Sequence, residues 1–221
     1  MMQDKNTTIL LTSNGNGFDL LETLKGLMAS NTARAIISKL IIILKEDDDK
    51  ELFKELERLK TGLKEVYDFK IIKPSAKTDF ERLDYALSLV NTEYVFYCKA
   101  GWGFTGKHYI FRSIYALESQ VSVVQVLLNN TSEFTPNEVM NTKHRLGEMV
   151  HVSGLHQAKI NHNDKEYLYN GFNFTTSLFR TSDLKSIGKF SRFSNIYEVD
   201  AWYKKNNKIV LTFCEKYTEL I

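Results

Sequence analysis

Short apolar runs of the kind that form buried strands alternate with helical patterns along the first part of the chain. Between the runs, apolar residues recur at helical spacing, as after Gly17, where Leu20, Leu24 and Leu27 share one face. Strand and helix alternate four times before residue 129, which predicts an α/β domain with a mostly parallel sheet flanked by helices on both faces. The predicted strands are Thr7–Ser13, Ala35–Leu44, Phe69–Ile72, Tyr94–Cys98 and Val121–Leu128.

The size and charge of the chain narrow the classes of protein that it fits. Its 221 residues suffice for one α/β domain with a full core, and its two prolines mark no linker between two halves. A formal net charge of +2, with lysines mixed among acids, argues against nucleic-acid binding. No apolar run has the length of a bilayer span and the amino terminus lacks a signal-like segment, so we expect a cytoplasmic protein. Cys98 and Cys214 lie in apolar strands and are expected as buried, reduced thiols.

The stretch Glu93–Glu118 combines a buried strand, a Gly-rich loop that starts at Lys99 and an amphipathic helix. Ligands of open α/β sheets bind just beyond the carboxyl ends of the strands, so a reaction centre is expected at this loop. A loop that held a phosphate-bound metal ion would carry carboxylates, whereas Lys99, Ala100 and Gly101 stand here.

Periodicity weakens over Asn129–Lys165, a segment that holds four of the five histidines. The intervals between these histidines do not match a zinc site, and no cysteine lies near them. Within the segment, Glu148–Val152 and Leu155–Ile160 are candidates for a pair of strands. Regular structure is predicted again at Tyr167–Arg180, Ser182–Ile187, Ser194–Lys205 and Lys208–Cys214.

Three segments resemble the GT-A fold of nucleotide-sugar glycosyltransferases, in particular small viral and bacterial members of the family-2-like group. Residues 92–104, TEYVFYCKAGWGF, are similar to the family pattern TEYVFxxxDDWEF. Residues 169–180, YNGFNFTTSLFR, and 181–190, TSDLKSIGKF, are similar to GFSFNPSLFR and xxDLKxIGxF. The resemblance implies a single GT-A-like, Rossmann-like domain over 1–221, with a nucleotide-sugar-binding half over 1–128 and an acceptor-side half over 129–221.

The resemblance stops at the acids that give the family its metal site. In the family this short acidic motif, DxD, holds Mg²⁺ or Mn²⁺ against the pyrophosphate of the donor, and Lys99-Ala100-Gly101 is its degenerate counterpart here. Without a carboxylate at the loop the usual way of holding either ion is absent, so neither Mg²⁺ nor Mn²⁺ is firmly implied and no metal ligand is predicted. Two explanations stay open: Lys99 faces the pyrophosphate as a point cation, or the loop has lost catalysis.

The resemblance also implies donor-binding positions around this loop. Glu46 or Asp47, after the second strand, matches the acid near the donor's base in the family; the alternative is that both stabilise the positive end of the next helix. Lys77 and Arg82 contact donor phosphates or form a solvated surface pair. Trp102 stacks on a sugar or base, or anchors the loop in the core. The full predicted set of substrate-binding residues is Ser13, Asn14, Glu46, Asp47, Lys77, Arg82, Lys99, Ala100, Gly101 and Trp102.

The segment Asn195–Tyr203 corresponds to the place where inverting members of the family put the general base. This base takes a proton from the acceptor hydroxyl as that hydroxyl attacks the anomeric carbon, which suits a carboxylate in a partly apolar cleft. Glu198 is the first choice and Asp200 the second. The alternative for each is a helix-start carboxylate paired with nearby lysines.

These features predict an inverting glycosyltransferase that moves a sugar from a UDP- or GDP-linked donor to a glycan or other hydroxyl acceptor, with weak or no use of metal. A second hypothesis is a non-catalytic GT-A-like binding module, or one subunit of a glycan-assembly complex. A sugar nucleotidyltransferase fits less well, because the segment after the first strand, SNGNGF, has no basic residue.

Overall fold

The structure is a computed structural model of the chain. It describes residues 6–29, 36–46, 48, 50–63, 67–104, 108–128, 145–146, 149–151, 158–169, 171–213 and 218–220. Cys214 and Asp47, which the sequence analysis names, lie outside these residues. So do His144 and His156, two of the four histidines in the segment 129–165.

Strands and helices alternate over the first part of the chain, as the apolar pattern predicts. The strands are β1 (Thr7–Thr12), β2 (Ile37–Ile43), β3 (Asp68–Ile72), β4 (Tyr94–Lys99), β5 (Trp102–Phe104), β6 (Val123–Leu127), β7 (Arg145–Leu146), β8 (Met149–His151), β9 (Ala158–His162), β10 (Lys165–Tyr169), β11 (Ser177–Arg180), β12 (Ile209–Phe213) and β13 (Thr218–Leu220). The helices are α1 (Gly17–Ala29), α2 (Lys50–Leu63), α3 (Asp79–Ser88), α4 (Tyr109–Ser119), α5 (Thr181–Ser186) and α6 (Ile196–Lys205), with a 3₁₀ turn at Phe190–Arg192.

One nine-stranded sheet organises the described residues, in the order β3-β2-β1-β4-β11-β6-β12-β8-β7. The pairs β3–β2, β2–β1, β1–β4 and β6–β12 are parallel. Strand β11 is antiparallel to both of its neighbours, β4 and β6. In the sheet order, the seven strands from β3 to β12 therefore share one direction, apart from β11. The predicted mostly parallel sheet is therefore confirmed.

Helices cover both faces of this sheet because alternate residues of each strand point to opposite sides. On one face, α1, α2 and α4 pack through residues such as Leu24, Leu56 and Leu117. On the other face, α3, α5 and α6 pack through residues such as Leu87 and Tyr203. None of the helices in the described ranges combines the length and apolar character of a membrane span.

Two pairings differ from the sequence prediction. Segments 148–152 and 155–160 were candidates to pair with each other, and this is wrong: β8 pairs with β12 and β7, whereas β9 pairs with β10. Asn163 and Asp164 adopt left-handed φ angles of 49° and 59°, which suits the tight turn of a hairpin and joins β9 to its sequence neighbour. The loop after β4 also contains a short strand, β5, which pairs with β13.

Candidate functional site

A cavity of about 350 Å³ opens where β1, β2 and β4 end. Ser13, Lys45 and Lys99 line it from the segments at the carboxyl ends of these strands, and α3 and α6 contribute Arg82 and Ile196. The parallel order β2-β1-β4 brings these ends to one edge of the sheet, the usual place for ligands in such sheets. The strand end at Lys99 and the start of α6 therefore face one cavity.

Aromatic side chains form one wall of this cavity. Tyr97, Phe80 and Phe174 all line it. The ring of Phe174 lies 5.4 Å from that of Tyr97 and 6.2 Å from that of Phe80, measured between centroids. Burial raises the pKa of Tyr97 to about 12, so its hydroxyl stays protonated near neutral pH. These three side chains give the cavity an apolar surface that includes one hydroxyl group, that of Tyr97.

Three cationic side chains also line this cavity. Lys45, Arg82 and Lys99 line the cavity, and a second cavity of about 480 Å³ is lined by Lys45, Glu46, Ala76, Lys77 and Arg82. Lys45 and Arg82 therefore stand where the two cavities meet. Lys45 Nζ donates to the Asn14 carbonyl at 3.2 Å, and Arg82 pairs with Asp79 and donates to the Ala76 carbonyl.

Hydrogen bonds to α1 fix the segment Lys99–Gly101. The Thr23 hydroxyl oxygen accepts hydrogen bonds from the backbone N–H groups of Gly101 and Trp102, at 3.0 and 3.1 Å. Gly101 has a φ of 98°, which side chains rarely adopt, and a Cβ there would lie 3.6 Å from Asn14 Nδ2. Four of the predicted substrate-binding residues do not line the cavity: Asn14, Ala100, Gly101 and Trp102. Trp102 is half-buried in β5.

The two candidate bases occupy different environments on α6. Glu198, in the first turn, is half-buried; its Oε2 accepts from the Ser194 N–H at 2.9 Å, and the Tyr167 hydroxyl lies 3.5 Å from its Oε1. Asp200 is only 2% exposed and accepts from the Phe172 N–H at 2.8 Å. Neither carboxylate lines the cavity, to which α6 contributes Ile196.

Solved structures with the same architecture were found, although no protein-family model and no curated protein matches the sequence. A mannosyltransferase, PcManGT from Pyrobaculum calidifontis, in complex with GDP-Man and Mn²⁺, aligns over 96% of this chain with a TM-score of 0.65 and 12% identity. GalNAc-T7 with UDP, GalNAc and Mn²⁺ aligns over 99% with a TM-score of 0.70 and 8% identity. TarS of S. aureus, residues 1–349, aligns over 97% with a TM-score of 0.59 and 12% identity.

The chain has the GT-A fold of nucleotide-sugar glycosyltransferases. It spans 58% of the length of PcManGT, 43% of GalNAc-T7 and 59% of TarS, so roughly half of each of those chains has no counterpart in the alignment.

The metal ions named with two of these GT-A structures prompt a test of the residues present here. No group of three or more His, Cys, Asp or Glu side chains that could hold a metal occurs among the described residues. Asp79, which lines the cavity, pairs with Arg82, and Asp19 accepts from Asn14 Nδ2 at 2.8 Å. The donor set at the described part of this site therefore does not fit Mg²⁺ or Mn²⁺, which prefer several carboxylate and water oxygens.

An acid between β2 and α2, Asp48, contacts two residues that line the cavity. The sequence analysis did not predict it as a ligand-site residue. Asp48 is 6% exposed and accepts from the Ser13 hydroxyl at 2.8 Å and from the Lys45 N–H at 2.6 Å. Asp48 thereby fixes the Ser13 side chain and the Lys45 backbone. Glu46 is exposed and lines the second cavity. The signal was present in the run Glu46–Asp49, but sequence alone does not say which acid turns inward.

Buried Gln125 fixes another segment of the cavity lining, the one that contains Asn173 and Phe174. It was not predicted from the sequence. Its side-chain amide donates to the Asn173 carbonyl and, at 3.0 Å, to the Ser177 hydroxyl, and its Oε1 accepts from the Asn173 N–H at 3.3 Å. Gln125 is 0% exposed. It fixes the segment that carries Phe174 to the cavity wall. A polar residue inside the apolar strand 121–128 was the available signal.

Proposed function

We propose that this chain transfers a sugar from a nucleotide-diphosphate sugar to a hydroxyl acceptor. The observation that carries the proposal is the cavity at the ends of β1, β2 and β4, which is lined by aromatic side chains and by three cationic ones. An aromatic wall suits a base or a sugar ring, and cations suit phosphates. Proteins of this fold found in the comparison carry GDP-Man, UDP or UDP-GlcNAc.

For the chemical step we propose inversion at the anomeric carbon, with Glu198 as the base. Glu198 is half-buried and sits in the helical turn that brings Ile196 to the cavity, whereas Asp200 is buried against the backbone of Phe172. A carboxylate that has partial access to water can receive a proton from an acceptor hydroxyl. Asp200 is the second candidate, and its hydrogen bond to Phe172 N–H suits a positioning role.

A second candidate function is a non-catalytic sugar-nucleotide-binding module or a subunit of a glycan-assembly complex. It is favoured by the segment Lys99–Gly101 in place of acids and by the absence of Glu198 and Asp200 from the cavity lining. Both candidates predict that the chain binds a sugar nucleotide. Only the transferase predicts turnover.

The experiment combines binding with turnover. A thermal-shift screen with UDP- and GDP-sugars should raise the melting temperature for at least one donor, because a ligand that binds the folded state stabilises it. With that donor, Glu198→Gln should lower release of nucleoside diphosphate by at least about a hundredfold, the usual scale for a general base. Glu57→Gln, on the exposed face of α2 and outside both cavities, is the matched control and should leave turnover unchanged.

The outcomes separate the two candidates. Donor binding without nucleotide release contradicts the proposed transfer and favours the binding module. Release that neither Glu198→Gln nor Asp200→Asn lowers contradicts the choice of base and leaves the transfer standing. Failure of every sugar nucleotide to stabilise the protein contradicts both.

A further inference from the structure

We infer that this site grips the donor's diphosphate with Lys45, Arg82 and Lys99 and needs no divalent metal ion to do so. The inference rests on the proposed function, because it takes a nucleoside diphosphate as the ligand. It concerns how that ligand is held.

The position of the three cations carries the first step. Lys45 and Arg82 line both cavities, and Lys99 lines the first of them from the end of β4. A diphosphate connects two bulky groups, so it fits the junction between two cavities. A ligand placed there would have its negative charge beside the two shared cations and within the cavity that Lys99 lines.

The free hydrogen-bonding capacity of these cations carries the second step. Lys99 is exposed, and within the described ranges its side-chain ammonium makes no hydrogen bond or ion pair. Lys45 uses one of its three donors, toward the Asn14 carbonyl. Arg82 pairs with Asp79, and the Arg82 side chain is 18% exposed whereas that of Asp79 is 80% exposed. The Asp79 carboxylate can therefore turn to water while a phosphate takes its place on the guanidinium. Guanidinium and ammonium groups both bind phosphate oxygens well.

The balance of charge carries the third step. Four cationic side chains line the two cavities, Lys45, Lys77, Arg82 and Lys99, against two acidic ones, Glu46 and Asp79. A metal site needs carboxylate oxygens that are available to the ion, whereas Asp79 pairs with Arg82. Lys99 stands in the acidic motif's position, so the charge that a metal ion would bring is already present on the chain.

The test is a calorimetric titration of the full chain with UDP and with GDP, in EDTA and in Mn²⁺. We expect the nucleotide that binds to do so in EDTA, with an affinity that Mn²⁺ changes by less than about twofold. Lys99→Gln and Arg82→Gln should each weaken it by about tenfold, which corresponds to about 1.4 kcal/mol. The parent nucleoside, which has no phosphate, should bind these variants and the unchanged protein alike.

Lys25→Gln is the matched control, because Lys25 lies on α1 with its side chain 67% exposed and lines neither cavity. It should leave affinity unchanged, and an equal loss in this control would overturn the inference by showing a general charge effect. If thermal unfolding shows that Lys45→Gln folds, it serves as a third variant. If Lys45→Gln does not fold, the variant at the exposed Lys99 still tests the inference.

Two further results would count against the inference in distinguishable ways. If EDTA abolishes binding and Mn²⁺ restores it by more than tenfold, the inference fails while the proposed function stands. If neither nucleotide binds with or without Mn²⁺, the proposed function fails and the inference fails with it.

Discussion

A single threonine on α1 shows how the segment Lys99–Gly101 keeps its shape. Thr23 is 0% exposed, and its hydroxyl accepts from two successive backbone N–H groups, those of Gly101 and Trp102. Buried N–H groups without an acceptor are costly, so this hydroxyl compensates two of them at once. The segment that carries Lys99 to the cavity is therefore fixed from the helix beneath it.

Thr23→Val tests this support, because valine has nearly the same shape and no acceptor. We expect a loss of about 1–3 kcal/mol in the free energy of unfolding, measured by urea denaturation, since two buried N–H groups lose their partner. Nucleotide affinity should fall as well, because Lys99 is displaced. Thr23→Ser keeps the acceptor and should retain both properties more closely; an equal loss in the two variants would mean that the methyl group, not the hydroxyl, matters.

Residue type revealed part of the site in advance. Arg82, Lys99 and Ser13 were predicted as substrate-binding residues, and all three line the cavity, although their binding role stays a prediction. Lys45 and Gln125 were missed, because a lysine after a strand and a glutamine within one look like surface and packing residues. Their roles depend on what the folded chain places opposite them, the Asn14 carbonyl and the Asn173 backbone.

At the scale of the element, α3 brings one cation and one aromatic side chain to the cavity, and its start is fixed by a capping box. The Thr78 side chain accepts from the Glu81 N–H, and the Glu81 side chain accepts from the Thr78 N–H. Phe80 and Arg82 lie in the first turn, directly after this cap, and both line the cavity. The cap therefore positions part of the ligand site as well as the helix.

Thr78→Ala removes the side-chain acceptor of this cap. Loss of such a cap costs about 0.5–2 kcal/mol of stability, which thermal or urea unfolding can resolve. We also expect weaker nucleotide binding, because the first turn that carries Arg82 frays. Thr78→Ser should preserve both. Thr61→Ala, in the last turn of α2 and exposed, is the control for a threonine whose hydroxyl caps no helix start. A loss in Thr61→Ala equal to that in Thr78→Ala would contradict the capping role.

The elements whose signals are local could be predicted from sequence, and those that depend on distant partners could not. The spacing of Thr78 and Glu81 is the sequence signature of a capping box, and the apolar run at Tyr94–Cys98 predicts a buried strand; the structure has both. The pairing of β5 with β13 joins segments more than 100 residues apart, and no short pattern encodes it. The same holds for the insertion of β11 between β4 and β6, where one antiparallel strand interrupts the parallel order.

At the scale of the whole molecule, burial shifts the ionisation of several groups in the same direction. Burial raises the pKa of the Cys98 thiol and of the Tyr97 hydroxyl to about 12 each. The pKa of Tyr94 is raised by burial and by its hydrogen bond to Glu118, and that of Tyr203 chiefly by burial. Each group therefore keeps its proton in the folded state at a pH where the unfolded chain releases it.

Stability should consequently fall at alkaline pH. Below about pH 7.5 both states hold these protons, so the groups add no pH dependence; between about pH 9 and 12 chiefly the unfolded state loses them, which favours unfolding. The expected loss is on the order of 1 kcal/mol per group by pH 10.5, measured by urea unfolding at pH 7.5 and 10.5. Tyr97→Phe should reduce this loss, whereas Tyr85→Phe, at a tyrosine that is 49% exposed, should not. A pH dependence that Tyr97→Phe leaves unchanged would show that this hydroxyl meets water as freely in the folded chain as in the unfolded one.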